Sequence, residues 1–194
     1  MALDRRAVVA ELLRDPGDTP GGELLVVTGL GSSTYDAGAA GDRPENFYLW
    51  GAMGGAAMIG LGLAIAQPTR RVLVITGDGE ALMGMGALST IAAKRLPNLA
   101  IVVLDNAQFG ETGHQASHTG LGTDLAAVAA GCGWANSCTV TAWEDIPALR
   151  ARVRQEAVFA VVKISAAEVP RFLPIRDGAR LTARFRDALG LPVD

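Results

Sequence analysis

The chain has 194 residues, 49% of them hydrophobic, with 17 Lys and Arg against 20 Asp and Glu and a net charge of −3. This composition suits one globular domain, spanning 1–194, with a sizeable core; it excludes a disordered segment, and with no basic run nothing tracks a nucleic-acid backbone. Two cysteines, Cys132 and Cys138, make neither a secreted disulfide framework nor an iron–sulfur ligand set, and are read as reduced, buried thiols of a cytoplasmic protein.

Residues 1–14 mix apolar and charged positions at helical spacing (Leu3, Ala7, Val8, Glu11, Leu12) and predict an amphipathic helix. Acids among its bases and the lack of a long apolar core exclude a signal peptide. Residues 15–22 (DPGDTPGG) read as a turn-rich loop. The first strand is predicted over 23–28 (ELLVVT) and a short second over 46–50. The glycine-dense apolar stretch 52–66 is too short to span a bilayer and falls in a buried helix predicted over 53–67. A third strand follows over 71–76 (RVLVIT), a helix over 81–95 and a fourth strand over 99–105 (LAIVVLD). Then come a helix over 124–132, a fifth strand over 137–141, a helix over 144–155, a sixth strand over 158–165 (VFAVVKIS) and a final helix over 177–189, outside the sheet. Continuously apolar strands indicate burial on both faces, and helix-length crossovers indicate parallel pairing. The fold class is therefore α/β: a doubly wound parallel sheet of about six strands with helices on both faces. In such sheets ligands bind beyond the carboxyl ends of the strands.

After the third strand stands Gly77-Asp78-Gly79-Glu80-Ala81. Glycine lets the backbone approach a ligand, a helix start offers free N–H groups to a phosphate, and an aspartate beside it suits a hard cation such as Mg2+. Alone, the motif is equally a turn that opens a helix. Twenty-eight residues after Asp78, beyond the fourth strand, Asn106 stands in Asp105-Asn106-Ala107-Gln108-Phe109-Gly110. One crossover separates the two loops, so they emerge side by side, and the Asn106 oxygen with a following carbonyl can complete an oxygen-only cation site. After the second strand comes Trp50-Gly51-Ala52-Met53-Gly54-Gly55, either a glycine-rich helix start with Met53 in the core or a ligand-contacting segment. After the first comes Thr28-Gly29-Leu30-Gly31-Ser32-Ser33-Thr34, whose small residues and hydroxyls suit a second phosphate cradle.

The pairing of Gly-Asp-Gly with a downstream Asn at this interval resembles the signature of thiamine diphosphate (ThDP) enzymes, and the four loops in this order carry the resemblance over nearly the whole chain. It implies that Asp78, Asn106 and the Gln108 carbonyl ligate a Mg2+ that bridges the cofactor's phosphates. It further implies cofactor contacts from Gly29, Ser32, Ser33, Gly77, Gly79, Glu80, Ala81 and Phe109. The Gly51 carbonyl would receive the aminopyrimidine's exocyclic amine, and Met53 would lie beneath the bend between the two rings. The family usually has Asn-Asn where this chain has Asp105-Asn106. Its catalytic glutamate sits in a pyrimidine-binding domain, for which the sequence before the first strand leaves no room. An α-type partner chain is thus expected to supply it; Glu80 and Glu111 lie at the diphosphate end and are not substitutes. An assembly of at least two chains of each kind follows, with the helix over 53–67 as a candidate like-subunit contact.

Residues 79–90 (GEALMGMGALST), the loop Glu111-Thr112-Gly113-His114-Gln115 with Ser117, His118 and Thr119, and the tail Phe172-Leu173-Pro174-Ile175-Arg176 with Arg184-Phe185 are similar to one group in particular. It contains the sulfopyruvate decarboxylase β subunits and the phosphonopyruvate decarboxylases, and it implies decarboxylation of a 2-oxo acid bearing an anionic group on C3, giving CO2 and an aldehyde. His114 and His118, the only histidines, are candidates to shuttle protons or face an anionic substrate, or else they cap turns at a subunit contact. Gln115 and Ser117 are candidates for substrate hydrogen bonds. Arg171, Arg176 and Arg180 either bind a sulfonate or phosphonate or form a solvated face. Carboligation by the same cofactor fits these residues equally. A non-catalytic, ThDP-binding regulatory subunit is the other alternative, although its mark would be damaged metal ligands. A ferredoxin oxidoreductase β chain would want cluster cysteines, and a nicotinamide-binding domain a third glycine at Thr34.

Overall fold

The computed structural model describes residues 2–15, 17 and 23–191, so the loop predicted over 15–22 lies almost wholly outside the described residues. In chain order the elements are α1 (Arg5–Leu13), β1 (Leu25–Thr28), α2 (Ser32–Ala39), β2 (Asn46–Tyr48), α3 (Ala56–Ala66), β3 (Val72–Gly77), α4 (Asp78–Met83) and α5 (Ala87–Lys94). There follow β4 (Leu99–Asp105), the two-residue strands β5 (Gln108–Phe109) and β6 (Gln115–Ala116), α6 (Leu125–Gly131), β7 (Ser137–Val140), α7 (Ile146–Gln155), β8 (Phe159–Lys163) and α8 (Gly178–Ala188).

Six strands form one parallel sheet in the order β2-β1-β3-β4-β8-β7, as the apolar runs require; β5 and β6 form a separate antiparallel hairpin. Alternate residues of the buried strands serve opposite faces. Leu73, Ile75, Ala100 and Val102 join a core with Val8 and Leu12 of α1 and Ile146, Leu149 and Val153 of α7. Val72, Val74, Leu99 and Ile101 join the other core with Leu61 and Ala64 of α3, Leu88 and Ile91 of α5 and Leu125 of α6. The final helix lies across the β2 edge, where Phe185 meets Phe47 edge-on at 5.4 Å.

Several boundaries differ from the sequence reading. The helix predicted over 81–95 is two: α4 opens already at Asp78, and residues 84–86 break it before α5. A Cβ at Gly84 would overlap the Gly54 carbonyl, so the break lets the end of α4 lie directly on the loop after β2. Helix α3 starts at Ala56 rather than at 53, which leaves residues 51–55 as loop. Helix α2 was not expected, because SSTYDAGA is poor in helix formers. Tertiary contacts override that preference: Asp36, fully buried, holds Arg5 and Arg6 of α1, each at 3.0 Å. Cys132 and Cys138 are free but only half-buried, beside the Ser89 hydroxyl and the Arg152 guanidinium respectively, because one caps α6 and the other lies on the edge strand.

Helix α3 is apolar all round, and its outer face leaves Met58 41% and Ile65 52% exposed. No helix among the described residues is long and apolar enough to cross a membrane. Two glycines of α3 should respond oppositely to alanine. A Cβ at Gly60 would overlap Val74 of β3, whereas one at Gly62 meets nothing within 4 Å. In urea denaturation, Gly60→Ala is expected to destabilise by about 1–3 kcal/mol through overpacking. Gly62→Ala is expected to stabilise by about 0.5–1 kcal/mol through helix propensity and a less free unfolded chain.

Candidate functional site

The chain leaves β1 towards β2 and returns to β3 on the other side, so the order of strands reverses between β1 and β3. Ligands of open α/β sheets bind at such a switch point, at the carboxyl ends. There the loops after β1, β2, β3 and β4 enclose a pocket of about 390 Å³, within the size range of small-molecule sites. Its walls include Ser32 and Ser33, Met53, residues 77–80, and Asn106, Gln108 and Phe109.

Asp78, 2% exposed, is the first residue of α4. Its carboxylate accepts a hydrogen bond from the Ser117 hydroxyl; Thr119 Oγ1 lies 3.2 Å away and can give its single proton either to Asp78 or to Asp105. Burial pushes the Asp78 carboxyl above its ordinary value; the Ser117 hydroxyl opposes this and the nearby Asp105 carboxylate adds to it. Thr119 Oγ1 also lies 2.7 Å from Asp105 Oδ1. That oxygen accepts the Ala107 N–H as well, and the other carboxylate oxygen pairs with Lys163, directly across the β4–β8 register. Asn106 Oδ1 accepts the Gln108 N–H at 3.0 Å across Ala107, which takes a left-handed φ of 61°. These Asx turns shape the loop that brings Asn106 and Gln108 to the same pocket wall as Asp78. Phe109 lies on the backbone of Gly79, where a Cβ would come within 2.6 Å of the ring.

Glu80, 4% exposed, accepts the Leu30 N–H at 3.0 Å and the Ala56 N–H at 3.4 Å. Burial raises its carboxyl, opposed by the Thr76 hydroxyl and by the N–H groups of Ala56, Leu30 and Gly54.

The remaining predicted residues are dispersed. Gly29 sits behind the pocket against Glu80, Ala81 packs into the core, and Gly51 lies outside the pocket wall. His114 lines an adjoining cavity of about 540 Å³ that shares Ser32, Asn106, Gly110 and Glu111 with the first. Its ring nitrogens lie 3.2 Å from Gln108 Oε1 and 3.2 Å from Glu168 Oε1. His118 is exposed at the start of a 3₁₀ turn and lines neither cavity. Of the three arginines, Arg171 lies over Tyr35 and Arg176 over Trp50, two rings 6.2 Å apart, whereas Arg180 stands in the first turn of α8. Ser117 reaches Asp78 directly, rather than standing free for a substrate. Sequence reasoning missed Thr119 and Lys163 as parts of the site. The available signal was Lys163 itself, the one charge in an otherwise apolar strand.

The donor set suits a hard cation. Among the described residues no group of three or more His, Cys, Asp or Glu gathers for a metal. A cation here would rest instead on one carboxylate, one amide oxygen and one main-chain carbonyl, all oxygen. Space for a ligand is built in: a Cβ at Gly77, on the pocket wall, would meet nothing within 4 Å, so no packing within the chain demands that glycine.

The family described as "Thiamine pyrophosphate enzyme, C-terminal TPP binding domain" matches residues 30–164. The chain belongs to this family. The matched TPP-binding segment runs from the loop after β1 to the end of β8 and so takes in every wall of the pocket. The chain is 39% identical over 123 residues to the sulfopyruvate decarboxylase subunit beta of Methanocaldococcus jannaschii, covering 63% of this chain and 65% of that one. It is 40% identical over 145 residues to the phosphonopyruvate decarboxylase of Streptomyces viridochromogenes, covering 75% of this chain and 34% of that one. The chain therefore spans just under two thirds of the first relative and about a third of the second. Benzoylformate decarboxylase from Polynucleobacter necessarius shares the TPP-enzyme fold, with a TM-score of 0.72 over 88% of this chain and 34% of that one at 18% identity.

Proposed function

We propose that this chain, as a single domain over 1–194, is the diphosphate-binding, β-type subunit of a split ThDP- and Mg2+-dependent 2-oxo acid decarboxylase. Its substrate would be 3-sulfopyruvate or 3-phosphonopyruvate. The observation that carries this reading is the convergence of Asp78, Asn106, Gln108 and Met53 on one pocket at the switch point. The two curated relatives, named for those two substrates, agree with it.

In this reading Asp78, the Asn106 side chain and the Gln108 carbonyl hold Mg2+, and the Ser117 and Thr119 hydroxyls keep the Asp78 carboxylate oriented. Ser32, Ser33 and the open backbone at Gly77 would receive the diphosphate, with Gly79 beside them under the Phe109 ring. Gly51, just beyond the pocket wall, would offer its carbonyl to the pyrimidine end of the cofactor, and Met53 would pack beneath it. ThDP, when bound, supplies the electron sink for loss of CO2. The protein supplies geometry, exclusion of water and placement of protons. His114, at the pocket's margin, is the histidine we assign to proton handling, and His118 fits a subunit contact.

The exposed surface supports a heteromer. Met53, Met83 and Met85 are 38%, 60% and 39% exposed, and α3 adds Met58 and Ile65. Apolar exposure on this scale beside a cofactor pocket marks a surface that another chain covers. We assign the pocket mouth to an α-type chain carrying the catalytic glutamate, and α3 to self-association. Free thiols fit the reducing cytoplasm.

The test is co-expression with a candidate pyrimidine-binding chain, followed by assay of CO2 release from both substrates with ThDP and Mg2+. Activity in the mixture and in neither chain alone is expected. A stable complex that binds ThDP without releasing CO2 would move the assignment to carboligation; an active isolated chain would overturn the split-enzyme reading.

A further inference from the structure

Glu80 is the most enclosed acid of the pocket wall that has no part in the proposed cation site, and its partners are main-chain groups on two other loops. Its carboxylate takes the N–H of Leu30, in the loop after β1, and of Ala56, at the end of the loop after β2. It is itself anchored in α4, directly after β3. One side chain thus joins the segments that follow β1, β2 and β3 at the site. Gly29 fits the same device: any Cβ there would overlap Glu80 Oε2, so the carboxylate fills the space that a side chain would take. Bonds from N–H groups to a buried carboxylate are stronger than neutral ones, and they hold loops that have no secondary-structure ladder of their own.

We propose that Glu80 is a positioning residue: it fixes the spacing of these three segments, so that the serines after β1 and Met53 after β2 face the Asp78 turn before any cofactor arrives. This rests on the functional reading above. Its effect would be pre-organisation, which improves binding by lowering the ordering cost. Glu80→Gln keeps the shape but turns an NH2 towards backbone donors, and Glu80→Asp is too short to reach both loops.

The decisive measurement is amide hydrogen exchange of the cofactor-free full chain, read beside the affinity for ThDP with Mg2+. In the parent, Leu30 and Ala56 are expected to be protected. In Glu80→Gln their exchange should rise at least about tenfold, while amides of β3 and β4 keep their parent rates, and the ThDP Kd should rise about tenfold or more. Glu80→Asp should lose protection at one of the two amides and fall between parent and Gln in affinity. Unprotected Leu30 and Ala56 in the parent, or parent-like exchange in Glu80→Gln, would overturn the proposal; so would a uniform rise across the sheet, which signals a merely structural role. A parent chain that protects both amides yet binds no ThDP, alone or with its partner, would instead sink the functional reading and leave the strut standing.

Discussion

Asp78→Asn is expected to weaken Mg2+-dependent binding of ThDP by at least about a hundredfold, roughly 3 kcal/mol, without lowering the unfolding temperature of the cofactor-free chain. The two halves of this expectation have one cause. Asp78 is the only carboxylate in the proposed cation site, so its charge supplies most of the attraction for a divalent ion. In the cofactor-free chain the same charge is buried to 2% exposure near a second carboxylate, Asp105. Burial and like charge both work against the fold. An asparagine oxygen still accepts from Ser117, so the substitution removes the electrostatic cost and keeps an acceptor. Calorimetric titration with ThDP and Mg2+, set beside thermal unfolding of the apo chain, separates the effects. Parent-like affinity would remove Asp78 from the cation site, and a large fall in unfolding temperature would show that its carboxylate supports the fold.

Lys163→Met is the second large effect, and it falls on stability. Among the described residues, the Lys163 ammonium is the only cation paired with Asp105, whose side chain is 1% exposed. Removing one partner of a buried pair leaves an uncompensated charge, which costs about 3–5 kcal/mol when both partners are enclosed. Lys163 is 43% exposed, so water partly compensates, and about 2–3 kcal/mol is expected in urea denaturation. The informative variant is the double one. Asp105→Asn gives the Asn-Asn pair that the family resemblance implies, and its oxygen can still accept from Ala107 and Thr119. Asp105→Asn with Lys163→Met should therefore recover most of the loss, a strongly non-additive result. Additive losses would mean that the ion pair is incidental and that Lys163 acts through its alkyl chain.

This pair shows where sequence reasoning stops. Asp105 stood out as a departure from Asn-Asn, yet its compensation was invisible, because Lys163 lies 58 residues away and meets it only through the β4–β8 register. Strand order is a property of the sheet, not of either strand. By contrast β3 and β4 were legible outright, since VLVITG and LAIVVLD are apolar at successive positions and only burial on both faces explains that. The loops at their ends were legible for the same reason: strands found correctly put Gly77–Glu80 and Asp105–Gly110 at one edge. Helix α2 was hidden because its stabilising contact, Asp36 with Arg5 and Arg6, is again long-range. The break between α4 and α5 was hidden because residues 81–95 keep a helical apolar period through two glycines, and only the approach of Gly54 gives one of them, Gly84, its purpose.

The apolar outer face of α3 has a cost before assembly. From residue 51 to residue 69 the chain carries no Asp, Glu, Lys or Arg. Sequences usually flank such runs closely with charged gatekeepers that discourage intermolecular association during synthesis. Here the nearest is Arg70, which is turned inward to the Ala188 and Glu23 carbonyls. If a second copy covers α3, as assigned above, each new chain presents a sticky, unguarded surface until it meets another, and the time spent in that state shortens as the chain's own concentration rises.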